Sequence, residues 1–229
     1  MASDAPSTAP DARGFKLWDA PTRLVHWALV GLIGFSWWSA RTGHMDWHRW
    51  SGYSVLALIT FRLIWGVVGS QSARFSQFVK GPRAVLAYAR TLGDRAPSST
   101  PGHNPVGALS VLALLAAILT QVVTGLFSVD IDGLESGPLA DRVSFDTGRQ
   151  FAQWHDWSFT AIQVLVLAHV AAVVFYLVYK RSNLIRPMVT GRRRLDVDPQ
   201  LAFAPPWLAL LIALVAAAVT YWVMKGLRV

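Results

Sequence analysis

The chain has 229 residues, 53% hydrophobic and only 15% charged, a balance that excludes an ordinary soluble domain and suits a helical membrane protein. It has no cysteine, which excludes disulfides, cysteine-ligated iron–sulfur clusters, thiolate chemistry and a CxxCH attachment site for c-type haem. The formal net charge of +8 admits nucleic acid or an anionic membrane, but the basic residues flank apolar stretches, so lipid is the expected partner and nucleic acid is not.

Residues 1–14, MASDAPSTAPDARG, are polar and rich in Pro, Ala and Ser and read as a disordered tail. They lack the charged segment running into a short apolar core that a signal peptide needs. FKLWDAPTRLVH leads into a first apolar span at about 24–40, and a second covers about 48–69. Residues 70–105 form a basic connection in which 75–92 reads as an interfacial amphipathic helix. A third span follows at about 106–128, then an acidic loop at 129–150 with Asp130, Asp132, Glu135, Asp141 and Asp146. The fourth span, 154–179, carries His155 near its start and His169 fourteen residues later. A polar connector leads to a fifth span at 205–225. The expected fold is all-α: an integral membrane bundle of five spans.

Lys and Arg orient the bundle. The alternate sides of the five spans carry fifteen and six of them, and the richer side faces the cytoplasm. The N-terminus is then cytoplasmic; the acidic loop and the C-terminus are outside. With that topology His26 and His169 fall at the inner level, His48 and His155 at the outer. Fourteen residues is almost four helical turns, so His155 and His169 share one face about 21 Å apart along the axis.

Two imidazoles per level, with no cysteine and no intramembrane carboxylate, leave zinc under-coordinated, since it takes four ligands. A porphyrin supplies four equatorial nitrogens, and two axial imidazoles complete its iron. Such a site has no open position, which favours electron transfer over oxygen binding. Gly52 follows His48 by one turn, and Gly31 and Gly34 follow His26; small residues let a flat macrocycle approach. Arg62 lies fourteen residues after His48, at the inner level, where a haem propionate would be its anion. His44 and His103 read as ordinary polar residues, although His103 could also touch a quinone or a propionate. Gly125 reads as a packing residue.

These segments resemble a known family. LWDAPTRLVHW (17–27) is similar to the WD-x-P-x-R-x-x-HW opening of the bacterial cytochrome b561 and nickel–iron hydrogenase b-type cytochrome family. HRWSGYSVLALITFRLIWGVVG (48–69), GHNPVG (102–107), the 154–178 stretch and KRSNLIRPM (180–188) fit it too. The resemblance covers roughly 15–190 and implies a four-helix di-haem core there, with a linker and the fifth helix in 191–229 outside it. It implies two non-covalent haem b groups with His26, His48, His155 and His169 as axial ligands. It also implies electron transfer in the bacterial inner membrane between the quinone pool and a periplasmic partner, a c-type cytochrome or a hydrogenase-like protein. Arg23, Arg62 and His103 are inner-side candidates for quinone contact. The fifth helix could pack against a partner subunit or a second copy.

Two other functions remain open. A superoxide:quinone oxidoreductase would want a positive guide for its anionic substrate. The long outer loop is net negative, which argues against it, while Arg41, His44 and Arg49 in the short outer loop weaken that objection. A non-redox transporter or assembly protein would carry no haem at all.

Overall fold

The computed structural model describes residues 14–95, 100, 102–195 and 197–228. The expected tail at 1–14 lies outside these except for Gly14.

Asp19 starts the first helix. Its Oδ1 accepts a hydrogen bond from Thr22 N at 2.7 Å, with a proline just inside the helix, the usual arrangement for satisfying the free N–H groups of a first turn. Helix α1 runs Ala20–Arg41 and returns through a tight turn, with Gly43 at φ +76°, into α2, Met45–Val68. After a short 3-10 turn come α3, Phe75–Phe78, and α4, Pro82–Arg90. The expected amphipathic helix over 75–92 is therefore two pieces. Extended backbone at Val79 and Gly81 ends one, and Pro82 begins the other.

Helix α5, Pro105–Phe127, is capped by Asn104, whose side chain accepts from Gly107 N at 2.8 Å. Helix α6 spans Phe145–Val178 and is capped by Ser144. It begins nine residues before the expected span. At 34 residues it is about 51 Å long, against about 30 Å of hydrocarbon, so its first turns are extramembranous. The acidic loop is correspondingly shorter than 129–150.

Helix α7, Ile185–Thr190, ends at Gly191 in the left-handed conformation, φ +78°. Strand β2, Arg192–Arg194, then pairs antiparallel with β1, Gly14–Lys16, with Phe15 opposite Arg193. The stretch expected to be a linker thus contains a strand that folds back on the start of the chain. Helix α8, Pro206–Met224, completes the bundle.

Among the described residues α2, α5, α6 and α8 are long and apolar enough to cross a membrane. Helix α1 has 22 residues but falls outside that set. It carries Arg23, His26, Arg41 and three tryptophans, side chains that suit an interface. Its place in the bundle follows from its packing along α2.

Helix α2 is central. It packs against α1, α5 and α8, while α5 and α6 form a second pair. Val25 and Leu29 of α1, Val55, Ile59 and Trp65 of α2, Ile118 and Val122 of α5, Ile162 of α6, and Ile212 and Ala216 of α8 share one apolar core. Helix α8 is fastened at both ends. Gln71 exchanges hydrogen bonds with Ala202, Ala204 N donates to Ser70 Oγ, and Arg142 donates to the Gly226 carbonyl at 2.6 Å. The outer face of α6, including Val164, Leu167, Val174 and Val178, is exposed, as a lipid-facing surface is. The chain is a multi-pass helical membrane protein.

Candidate functional site

Helices α1 and α2 carry His26 and His48, and α6 carries His155 and His169. Neither α1 nor α2 packs extensively along α6, yet the imidazoles meet across the space between them. His48 and His155 have ring centroids 6.0 Å apart at an interplanar angle of 87°. His26 and His169 have centroids 6.5 Å apart at 54°. A metal bound at about 2.0–2.1 Å by each of two opposed imidazole nitrogens puts the ring centroids about 6 Å apart. Both separations fit one metal between each pair.

The two pairs differ in their surroundings. At the first, His48 Nδ1 donates to the Ser36 carbonyl at 2.9 Å, with Ser36 Oγ at 3.0 Å. His155 Nδ1 donates to the Gln121 carbonyl at 2.9 Å, with Thr124 Oγ1 at 3.3 Å. A carbonyl can only accept, so Nδ1 carries the hydrogen in both rings and Nε2 keeps its lone pair. Second-shell carbonyls orient metal-bound imidazoles in this way. The Gln121 side-chain amide donates to His155 Nε2 at 2.9 Å, and Ser158 Oγ donates to Gln121 Oε1. A metal at Nε2 would displace the first of these contacts and leave Gln121 with Ser158. Gly125 makes room for the ring: a Cβ there would lie 2.9 Å from His155 Cε1.

At the second pair, His26 Nδ1 is enclosed without a hydrogen-bond partner. Among the described residues no hydrogen bond reaches His169. Arg62 is 6% exposed and its Nη1 has no partner; its guanidinium lies 5.0 Å over the Phe75 ring. His103 sits between Trp18 and Phe78, with ring centroids 4.7 Å away on each side, and its Nδ1 is enclosed and unpartnered. Burial pushes the His103 pKa down to about 3, with the charges of Arg62, His169 and His26 acting in the same direction. Asp19, also buried, is the counter-charge felt by Arg62, and it accepts from Trp65 Nε1 at 3.0 Å.

Arg23 is engaged with α7. Its Nη1 donates to the Val189 carbonyl while its Nε has no partner. Arg23 thus ties α1 to α7. Gly31, Gly34 and Gly52 have open space where a Cβ would stand. His44 bonds Thr42 and stacks with Trp38 and Trp47, the company of an interfacial aromatic cluster.

The residues present fit an iron porphyrin at each level. The donors are imidazoles in opposed pairs, room exists beside the glycines, and the buried Arg62 nitrogen wants an anion. A bare metal fits poorly, because among the described residues no three His, Asp or Glu side chains converge. Sequence reasoning missed Ser36, Gln121, Thr124 and Ser158. Gln121 gave a signal, as an amide inside the apolar helix α5.

Comparison with known proteins agrees. Residues 17–191 match the family model of prokaryotic cytochrome b561; α8 lies outside the match. The chain is 25% identical over 218 residues to a protein of Azotobacter chroococcum mcd 1 named "Probable Ni/Fe-hydrogenase B-type cytochrome subunit", covering 80% of this chain and 89% of that one. A protein of the same name from Azotobacter vinelandii is 25% identical over 217 residues with the same coverage. No solved structure matches. The chain belongs to the prokaryotic cytochrome b561 family, whose b-type haem serves membrane electron transfer.

Proposed function

We propose that the chain holds two haem b groups and passes electrons between a periplasmic redox protein and membrane quinone. His48 and His155 would ligate one, His26 and His169 the other. The observation that carries this reading is the opposition of the two imidazole pairs at 6.0 and 6.5 Å, on helices that otherwise make little contact. When bound, haem supplies reversible one-electron chemistry with no open coordination position. The protein's own part is to hold each imidazole in one tautomer and one orientation, and to exclude water with the apolar core around Ile59 and Trp65. Arg62 would pair with a propionate, its orphaned Nη1 being the donor. His103, neutral and enclosed beside Arg62, is placed to hydrogen-bond a quinone carbonyl or a propionate; Arg23 helps indirectly by fastening α7.

The charge asymmetry supports an inner-membrane setting with the N-terminus cytoplasmic and the His48–His155 pair near the periplasm. The relatives' name supports a hydrogenase-type partner there, and a c-type cytochrome remains the other candidate. The superoxide reading loses support. Arg49 is engaged by Asp46 and Glu135, so the outer arginine nearest His48 is not a free positive guide. The core in 15–190 forms the di-haem unit. Helix α8 shields α2 on its remaining side.

The test is a pyridine haemochrome assay on the purified protein, which should give two b haems per chain. Protein without Soret absorbance would support a non-redox membrane protein instead. Stopped-flow reduction by a cytochrome c against reduction by superoxide would separate the electron-conduit and superoxide readings.

A further inference from the structure

We infer that the centre held by His26 and His169 is the higher-potential one, so that an electron on this chain settles beside Arg62 and His103. The inference rests on the two-haem reading above. The potential of a bis-imidazole haem is tuned by hydrogen bonding to the ligands and by local charge, and here the levers point one way. His48 and His155 each donate Nδ1–H to a backbone carbonyl at 2.9 Å. That bond raises ligand basicity, which stabilises the more positive, oxidised iron. Asp156, the next residue after His155, acts on that imidazole with a negative charge, in the same sense.

At the other level the carbonyl bonds are missing. His26 Nδ1 is enclosed without a partner, and His169 has no hydrogen bond among the described residues. The nearby protein charge is the buried Arg62 cation; paired with a propionate it would cancel that anion's stabilisation of the oxidised iron, which favours the reduced, less positive form. Asp19 offsets part of that charge, but its carboxylate is already engaged by Trp65 Nε1 and Thr22 N. Opposite charges and opposite hydrogen bonding therefore separate the two centres. When the donor is the periplasmic protein, the quinone that oxidises the chain is best served at the His26–His169 level.

Anaerobic spectroelectrochemical titration of the haem-loaded protein tests this. The wild type should show two one-electron waves. Arg62→Gln should lower the upper wave by tenfold or more in reduction equilibrium constant, about 59 mV for a one-electron couple, or remove it with its haem. Asp156→Asn should raise the lower wave and leave the upper. His26→Ala should abolish the upper wave and keep the lower. If Arg62→Gln moved the lower wave, or His26→Ala abolished it, the order would be reversed and the inference overturned. One haem per chain in the haemochrome assay would overturn the two-centre reading itself, and with it this one.

Discussion

The two imidazole pairs share a helix, a residue type and nearly the same separation, yet they are built differently. At His48 and His155 the protein fixes the rings by donating their Nδ1 hydrogens to carbonyls of Ser36 and Gln121. At His26 and His169 it leaves the rings unbonded and places charge and aromatic surface around them: Arg62, Asp19, Trp18 and His103. The first pair is held by those two backbone carbonyls. The second depends on what it binds, because its enclosed polar atoms, His26 Nδ1, Arg62 Nη1 and His103 Nδ1, have no hydrogen-bond partner among the described residues. An unpaired buried polar group costs about 1–3 kcal/mol, more when charged.

The comparison can be broken most severely by removing one ligand. His169→Ala should cut haem content from two to one per chain, read by pyridine haemochrome, and leave the His48–His155 centre spectrally intact. If both haems survived unchanged, the pairing would be wrong. Next in size is Gly125→Val. The added side chain would collide with the His155 imidazole, and overpacking of about 1–3 kcal/mol should fall on one centre only. Loss of haem at the His48–His155 level, with the other retained, is the expected spectrum.

A smaller effect follows at the other pair. Trp65→Phe removes the donor to the buried Asp19 carboxylate and should cost about 1.5–3 kcal/mol, measured as a lower denaturation midpoint in detergent. The smallest concerns His103. Its folded pKa of about 3 lies below the ordinary imidazole value of 6.5, so as the pH falls the unfolded chain takes up a proton that the folded chain refuses. Stability from this residue is complete above about 6.5, is lost progressively below it, and is gone near 3. At about pH 5.5 the loss is on the order of 1 kcal/mol. His103→Gln should flatten that part of the stability–pH curve, and a slope unchanged by the substitution would show that His103 is not its source.

Much of the bundle was readable beforehand, because apolar length and helical period are local properties. That His48 faces His155 and His26 faces His169 followed from spacing and alternating topology. The start of α6 was readable in principle: Ser144 caps it and Asp146 sits favourably in its first turn. The acidic composition of 129–150 reads as a loop, so the cap goes unrecognised there. Pro82 likewise marks the first turn of a new helix and divides what looked continuous. The hydrogen bonds that distinguish the two centres were out of reach. Ser36 and Gln121 act through backbone carbonyls, and a carbonyl leaves no mark on residue type. The β1–β2 pairing was equally hidden, since three-residue strands so far apart in sequence have no periodic signal.

That small sheet has a consequence for how the molecule is made. Leu17 N and Trp18 N both donate to the Gly191 carbonyl, and the Trp18 ring also lies tilted against His103. A ribosome synthesises β1 at the beginning and β2 only after α6 is complete, so these contacts cannot close until most of the chain has emerged. Until then Trp18 lacks the Gly191 anchor that holds it against His103. The pairing of the chain's two distant segments can therefore form only late in synthesis, and the setting of Trp18 beside His103 waits on it.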